Sequence, residues 1–517
     1  MVTGPTVPPP PAQGQPPVPP RAPRPKWWYV KWAVPAAVLV AYAVYFLAGS
    51  SWGTQDYWFD RCADGVWEEG PDDECVGVTD GAYTFDGSLK DVTRLIHEEN
   101  EAVEESGKPW VSVAYVQPVT RGSRGKEDES ARQELEGAYL AQYELNRTEE
   151  GGPGDEPQIK LLLANPGAGA RQWEPLADRL IGMKDDDEHR LVAVAGFGPS
   201  LDTTKLAVDK LRKAKLPLLG ATSTADGLTD EGEIGFFRVV SPNRGEAAAA
   251  ARHLRERQRQ KGGYRVAVVR DRNGQDIYSR SLHTGFSGAA DKHGLKLEDL
   301  GLDYDSGAPA TANAFASIAE RVCREKPDAL YFAGRGRELR EFITAMAAWG
   351  QRCRTTVLTG DDAIGMFSDV EEDSARRDRF AKRWRLSNVT VLFTALAHPD
   401  LWRGGYPTGE DGDPIPEFST RYTQQTGRGP EQLDDGEALV VHDALFVAGS
   451  AIRDAGPRTV SSGAVLQLLL TVKQGNEVKG LSGPIRFGDS GDPVDKPLPL
   501  VELKPSGEHA FREVLRP

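Results

Sequence analysis

Small hydroxyl residues and acidic residues follow two of the apolar runs in this sequence. Thr222, Ser223 and Thr224 come directly after one run, and Asp361 and Asp362 come after another. Hydroxyls and backbone amides in the first loop would bind a small polar ligand, although capping of the next helix uses the same geometry. A carboxylate partly removed from water in the second loop would favour a cation. These residue types indicate the binding of a small solute.

Such residues meet only if the ends of several strands are brought together. From about Trp110 onward, short runs that are apolar on both faces alternate with amphipathic helical patterns. This alternation predicts an α/β fold, with parallel sheets covered by helices in two units. In such sheets, ligands bind beyond the carboxyl ends of the strands. The predicted strands are 111–116, 160–164, 191–195, 216–219, 265–269, 329–332, 355–358 and 389–393, and the predicted helices are 134–145, 203–213, 245–258, 279–292, 315–323, 338–349 and 437–454.

The composition excludes some classes of function. A chain of 517 residues has room for two or three domains. Its net charge of −15 argues against nucleic-acid binding as the main activity, since that affinity needs clustered cations. The sequence contains no phosphate-binding loop, zinc-protease motif or nucleophile elbow, so we expect neither an enzyme nor a cofactor or metal. The acidic pair Asp434–Asp435 is predicted to lie in a solvent-facing loop.

The N-terminus predicts a membrane anchor. Residues 1–25 are rich in proline and predict a disordered tail. The uncharged stretch 33–51 has about the length of a membrane-spanning helix, and we predict that helix within residues 26–52. Because basic residues precede the stretch and acidic residues follow it, the tail is predicted to be cytoplasmic and the main domain extracytoplasmic at the cell membrane. A cleaved signal peptide is the alternative.

Four cysteines lie beyond this stretch. An even number of cysteines in an oxidising compartment predicts two disulfides. Cys62 with Cys75 would close a small loop, and Cys323 with Cys353 would join two successive helix ends. Structural thiols are the alternative, since no CxxC pair supports a metal site.

In their order and spacing, several segments together resemble the type I extracytoplasmic solute-binding proteins of the leucine/isoleucine/valine-binding class. This resemblance implies two Rossmann-like lobes joined by a three-stranded hinge, with ligand trapped in the cleft between them. It places the two-lobe domain at residues 110–505, after a disulfide-containing juxtamembrane segment at 53–109. Lobe 1 is expected at about 110–240 with part of 360–480, and lobe 2 at about 245–360 with part of 400–480. The segments are 132–138 (RQELEGA), 216–223 (LPLLGATS), 237–242 (FRVVSP), 265–271 (RVAVVRD), 327–334 (PDALYFAG) and 480–487 (GLSGPIRF).

The resemblance also implies roles for single residues. Thr224 matches the position that holds a ligand carboxylate, and Tyr278 matches an aromatic residue that covers the ligand. An acid that pairs with a ligand ammonium is expected at Asp361 or Asp362, with Asp362 the better match. Arg335 lies where residues that line the cleft are expected and would hold an anion. The alternative is an exposed arginine without a ligand, which the sequence alone does not distinguish.

One position departs from the family pattern. Leu201 and Asp202 stand where the family commonly has adjacent serines at a helix N-terminus. Asp202 would cap the helix well but would repel an anionic ligand group. Ser200 and Thr203 would supply the hydroxyls if the register is shifted by one or two residues. A standard branched-chain amino acid is therefore in doubt, and the alternatives are a more cationic or neutral ligand and no ligand at all.

The family's function would be delivery of a small solute, such as an amino acid or a related compound, to the permease of an ABC transporter. The alternative is a receptor-like or assembly ectodomain with a degenerate cleft, which signals or interacts through the membrane span and in which two copies could dimerise. The long proline-rich tail and the uncleaved span favour this second interpretation.

Overall fold

The computed structural model describes Gly4 and residues 61–119, 129–147, 154–229, 234–309, 311–367, 374–404 and 412–516. Apart from Gly4, the predicted tail (residues 1–25) and the predicted membrane helix (residues 26–52) lie outside these ranges. Among the described residues, no helix combines the length and apolar character that crossing a membrane requires.

Helices and strands alternate over most of the described chain. The strands are β1 (Arg61–Ala63), β2 (Val66–Glu69), β3 (Glu74–Thr79), β4 (Trp110–Val116), β5 (Gln158–Asn165), β6 (Leu191–Gly196), β7 (Leu218–Gly220), β8 (Phe236–Arg238), β9 (Val266–Asp271), β10 (Leu297–Tyr304), β11 (Ala329–Ala333), β12 (Thr355–Thr359), β13 (Val389–Thr394), β14 (Val478–Gly480), β15 (Gly483–Ile485), β16 (Leu498–Leu503) and β17 (His509–Leu515). The α-helices are α1 (Lys90–Glu105), α2 (Glu129–Asn146), α3 (Trp173–Gly182), α4 (Asp202–Lys213), α5 (Asn243–Gln260), α6 (Ile277–His293), α7 (Thr311–Glu325), α8 (Gly336–Met346), α9 (Ser374–Ser387), α10 (Ile415–Thr426), α11 (Glu437–Ala455) and α12 (Ser462–Leu469).

The first sheet has the strand order β1-β2-β3-β5-β4-β6-β7-β8. Its strands from β5 to β8 are parallel, as the buried apolar runs predict. Helical crossovers connect β4 to β5, β5 to β6 and β6 to β7. Strand β3 instead pairs antiparallel with β5 and continues into a meander with β2 and β1. The sheet is therefore mixed, not purely parallel. Residues 61–79, expected in a separate juxtamembrane segment, form part of this sheet.

The second sheet has the order β10-β9-β11-β12-β13-β16-β17. Strands β10 to β13 are parallel. Strands β16 and β17 run antiparallel at the other edge, so this sheet is also mixed. Strand β16 pairs antiparallel because the chain returns to this sheet from the first lobe and not through a helical crossover.

Each sheet carries its own apolar core, and the two cores define two lobes. In the first lobe, α11 packs against α2, and the core includes residues of α10, α11 and α12. The segment 415–485 thus belongs to the first lobe and is not shared between the lobes. The second lobe extends to β13 and is completed by β16 and β17.

Within the described residues, the chain crosses between the lobes at three places: after β8, after β13 and before β16. A buried ion pair joins the first and third crossings. Arg238, which is fully buried, donates from Nε to Asp492 Oδ1 over 2.8 Å. Thr229 donates to the same carboxylate, and Arg244 of the second lobe also contacts it. The Asp492 carboxylate therefore fixes the first and third crossings relative to each other.

Both predicted disulfides are confirmed. Cys62 bonds to Cys75, which ties β1 to β3 at the edge of the first sheet. Cys323 on α7 bonds to Cys353, which follows the end of α8.

Replacement of Asp492 by Asn removes the countercharge of Arg238 but keeps the side-chain shape. An uncompensated buried charge costs about 3–5 kcal/mol, so we expect a clearly lower Tm in differential scanning calorimetry. Asp495→Asn is the control, because Asp495 is 77% exposed and pairs with Arg486 at the surface, where a pair contributes about 1 kcal/mol or less. An equal loss in both variants would contradict the importance of the buried pair.

Candidate functional site

A cavity of about 530 Å³ lies between the two lobes, beyond the carboxyl ends of the strands of both sheets. From the first lobe it is lined by residues that follow β4, β6 and β7, and from the second by residues that follow β9, β11 and β12. The sequence-predicted residues that line it are Ser200, Thr222, Thr224, Tyr278, Arg335, Asp361 and Asp362. The two sets of strand ends face one shared cavity.

Two of the sequence-predicted residues lie outside this lining. Ser223 is fully buried, and its hydroxyl donates to Gly198 O over 2.8 Å. The Thr203 hydroxyl donates to Gly169 O over 3.2 Å. Both hydroxyls therefore join loops within the first lobe.

The N-terminus of α4 differs from the expectation. Leu201, not Asp202, occupies the cap position, and Asp202 is the first residue of the helix. Thr204 Oγ1 accepts from Leu201 N and so supplies the capping contact. Asp202 nevertheless places a negative charge in the first turn, where it competes with any anion for the helix N-terminus.

The lobes contact each other directly at the strand ends. Thr224 Oγ1 of the first lobe donates to Asp361 Oδ1 of the second over 3.3 Å. Arg335 Nη2 of the second lobe donates to Ser200 O of the first over 2.7 Å. All four residues line the cavity, so these two hydrogen bonds connect the lobes within the cavity wall.

Asp361 sits in a buried acidic region behind this contact. Tyr278 Oη donates to Asp361 Oδ1 over 2.9 Å, and Glu246 Oε2 accepts from Asp361 N over 3.2 Å. Burial, and then the charge of Asp362, raise the pKa of Asp361 to about 7. Burial and the neighbouring Asp361 also raise the pKa of Glu246 well above its usual value. At neutral pH the two carboxyls do not both carry a full charge.

Arg335 is held by acids of its own lobe. It forms two hydrogen bonds to Asp276, of 2.7 and 3.1 Å, and its guanidinium lies 4.8 Å from the centroid of the Tyr278 ring. Burial opposes the charged form, but Asp362 and Asp276 outweigh it and raise the pKa of Arg335. Asp362 Oδ2 also accepts from Gly336 N, the first residue of α8. The charge of Arg335 is therefore matched within the protein.

The cavity wall contains polar residues that the sequence did not single out: Gln117, Glu134, Asp435 and Glu437. Gln117 directly follows β4. The rule that ligands bind beyond the carboxyl ends of the strands, which selected the other residues, would also have predicted it. Asp435 was expected in a solvent-facing loop, but it lines the cavity, and its carboxylate accepts from Glu437 N. Gly436 (φ 84°) makes this turn possible, since a Cβ there would lie 2.4 Å from Ala397 O.

Two α/β lobes, three crossings between them and a polar cavity at the facing strand ends define a two-lobed solute-binding protein. The family model described as "Periplasmic binding protein" matches residues 111–508. The chain therefore belongs to the periplasmic binding protein family, a class of non-enzymatic solute-binding proteins.

Three solved structures with the same fold are similar to this chain. The leucine binding protein LivK of Thermotoga maritima has 21% identity and a TM-score of 0.56, and the match covers 79% of this chain and 99% of that one. The branched-chain amino acid substrate-binding protein LivJ of Streptococcus pneumoniae, in complex with isoleucine, has 18% identity and a TM-score of 0.57 (79% and 100% covered). A branched-chain amino acid ABC transporter protein of Thermus thermophilus, with bound valine, has 14% identity and a TM-score of 0.55 (79% and 96% covered). A search of the curated proteins finds no match.

The raised pKa of Asp361 predicts a pH-dependent stability. In the folded state the carboxyl binds its proton up to pH about 7, whereas in the unfolded chain it releases it near 4. The folded state thus holds more protons between these values, and its stability falls as the pH rises from 4 to above 7. Asp361→Asn removes this loss, on the order of 3–4 kcal/mol.

We expect the Tm of ligand-free wild type to fall more steeply from pH 5 to pH 8 than that of Asp361→Asn. Asp291→Asn, at an exposed position on α6, is the control and is expected to follow wild type. Parallel Tm profiles for wild type and Asp361→Asn would contradict the shifted pKa.

Proposed function

We propose that the chain is the extracytoplasmic solute-binding component of an ABC transporter and holds a small solute, such as an amino acid or a related compound, between its lobes. The observation that carries this proposal is the cavity lined by strand ends of both lobes. Three crossings connect the lobes, so relative movement about them would open and close this cavity.

The solved relatives support a small ligand of this kind. One is described with isoleucine bound and another with valine bound. In this chain the polar groups of the cavity stand at the same strand ends that the family resemblance selects, among them Thr224, Tyr278 and Asp362.

Ligand binding would work by differential affinity. A solute that contacts both lobes does so only in the closed form, so its binding shifts the population toward closure. Thr224–Asp361 and Arg335–Ser200 already join the lobes. These contacts would lower the free energy of the closed form and determine how far the lobes separate on ligand release.

We further propose that residues 33–51 anchor the protein in the cell membrane as a single span, with a cytoplasmic N-terminus. The sequence pattern supports this: an uncharged stretch of spanning length, basic residues before it and acidic residues after it. The permease would then meet a binding protein that stays at the membrane.

Full-length protein purified from native membranes is expected to carry a small molecule that mass spectrometry of a denatured sample identifies. Thr224→Ala and Asp362→Asn should each lower the affinity for that compound by roughly 10- to 100-fold, as measured by isothermal titration calorimetry. This is the loss expected when a hydrogen bond to a charged group is removed.

Thr203→Ala is the matched control, because the Thr203 hydroxyl lies outside the cavity lining. The affinity of this variant for the same compound should stay within about twofold of wild type. If no compound co-purifies and none from an amino-acid library raises the Tm, the transport proposal fails and the receptor-like alternative gains support.

The proposed topology predicts that protease added to intact cells degrades the domain beyond residue 60 and spares an epitope placed before Pro5. The membrane fraction should retain the full-length chain after carbonate extraction, because a spanning helix is removed only by detergent. Release of the domain into the medium would instead indicate a cleaved signal peptide.

A further inference from the structure

The carboxyl of Asp361 lies at the boundary between the lobes. Its Oδ1 accepts from Thr224 Oγ1 of the first lobe over 3.3 Å and from Tyr278 Oη of the second lobe over 2.9 Å. Asp361 is 8% exposed and lines the cavity, and Thr224 is 1% exposed. Separation of the lobes would remove the Thr224 hydroxyl and admit water to the carboxyl, whereas Tyr278 would stay with it. The hydration of Asp361 therefore depends on closure.

The second lobe surrounds this carboxyl with acidic groups. Glu246 Oε2 accepts from Asp361 N over 3.2 Å, and Asp362 is the next residue of the same turn. Burial, and then the charges of Glu246 and Asp361, raise the pKa of the Tyr331 phenol well above its usual value, so it stays neutral. The second-lobe groups that face Asp361 are thus Glu246 from α5, Tyr278 from α6, Tyr331 from β11 and Asp362, and none of these four carries a positive charge.

The positive charge at this edge of the cavity is matched by other acids. Arg335, which precedes α8, forms two hydrogen bonds to Asp276, of 2.7 and 3.1 Å. Its charge also opposes the effect of burial on the pKa of Asp362. Arg335 is therefore held by Asp276 and Asp362, not by Asp361.

The first lobe closes over Asp361 with an uncharged group, the Thr224 hydroxyl. The first-lobe acid Asp226 adds its negative charge to the effects that raise the pKa of Glu246, and it pairs with Arg244 of α5. Closure thus removes water from Asp361 without bringing a countercharge to it. The hydrogen bond from Thr224 favours the ionised carboxylate, but burial has the larger effect, and the pKa of Asp361 rises to about 7.

We infer that closure of the lobes takes up a proton at Asp361, so that acidic surroundings favour the closed form and a rising pH favours opening. The inference rests on the lobe movement of the proposed function, and it applies to a carrier and to a receptor alike. A hydrated carboxyl in the open form releases its proton near its ordinary pKa of about 4, whereas the closed form holds it up to about 7. Between these values, uptake of one proton changes the ratio of closed to open molecules by up to about tenfold per pH unit.

The ratio can be measured on the full-length protein in detergent after dialysis against ligand-free buffer. Nitroxide labels on Leu206→Cys, at a 49% exposed position on α4, and on Thr284→Cys, at an exposed position on α6, report the distance between the lobes by pulsed electron paramagnetic resonance. The four native cysteines are paired in disulfides, so the introduced cysteines are labelled selectively.

We expect the closed-to-open ratio of the labelled wild type to fall at least tenfold from pH 5 to pH 8.5. Asp361→Asn keeps an oxygen that accepts from Thr224 and Tyr278 but cannot ionise, so its ratio should change less than threefold over this range. Asp291→Asn, at an exposed position on α6, is the matched control and should follow wild type.

Thr224→Val gives a second test that leaves Asp361 in place and applies even if Asp361→Asn alters the fold, as judged by its Tm. It keeps the shape of the side chain and removes the donor. The closed-to-open ratio should therefore fall about fivefold at every pH, the effect of one hydrogen bond, and should keep its dependence on pH.

A ratio that stays constant from pH 5 to pH 8.5 in both wild type and Thr224→Val would overturn the inference, as would an unchanged pH dependence in Asp361→Asn. The lobe movement of the proposed function would survive either result as long as Thr224→Val still opens. One fixed distance in every variant at every pH would instead overturn both the inference and that movement.

Discussion

Direct contact between the lobes at the strand ends is the constraint on which the rest of this molecule depends. Thr224 reaches Asp361, and Arg335 reaches the Ser200 carbonyl, so the two sheets meet through hydrogen bonds rather than across solvent. Each contact needs its own support. Asp276 holds the guanidinium in place by two hydrogen bonds, and the charge of Asp362 stabilises it. Tyr278 and Glu246 hold Asp361. The shape of the cavity beside these contacts follows from their geometry.

The electrostatics of this edge are set by burial more than by net charge. Asp361, Asp362 and Glu246 are buried, and burial together with the charges of neighbouring acids raises the pKa of Asp361 and of Glu246. The raised pKa values favour partial protonation of these acids beside one internal arginine. This explains why a cavity with many acidic residues is compatible with a stable fold. It also explains why Arg335 has a structural role in the site: its charge balances neighbouring acids of the protein.

Much of the fold could be predicted from the sequence, because buried parallel strands are continuous apolar runs. The run 111–116 became β4 and the run 355–358 became β12, and the residues after both runs line the cavity. The antiparallel β1–β3 meander was not predicted, since its short strands carry charged residues and turns. The other side chains of the site could not be predicted from the sequence either. Asp276 precedes α6 and contacts Arg335, whereas Glu437 follows a left-handed glycine and lines the cavity. Only the tertiary fold brings each of them to its place.

The disulfide between Cys62 and Cys75 affects how the first lobe responds to tension. Strand β1 begins at Arg61, one residue before Cys62, and the disulfide leads directly to β3, which pairs with β5 in the interior of the sheet. A pulling force on the chain upstream would therefore pass through a covalent bond into β3. The short pairings of β1 with β2 and of β2 with β3 would bear little of it. The lobe is in this way protected from being unzipped strand by strand from its N-terminal edge.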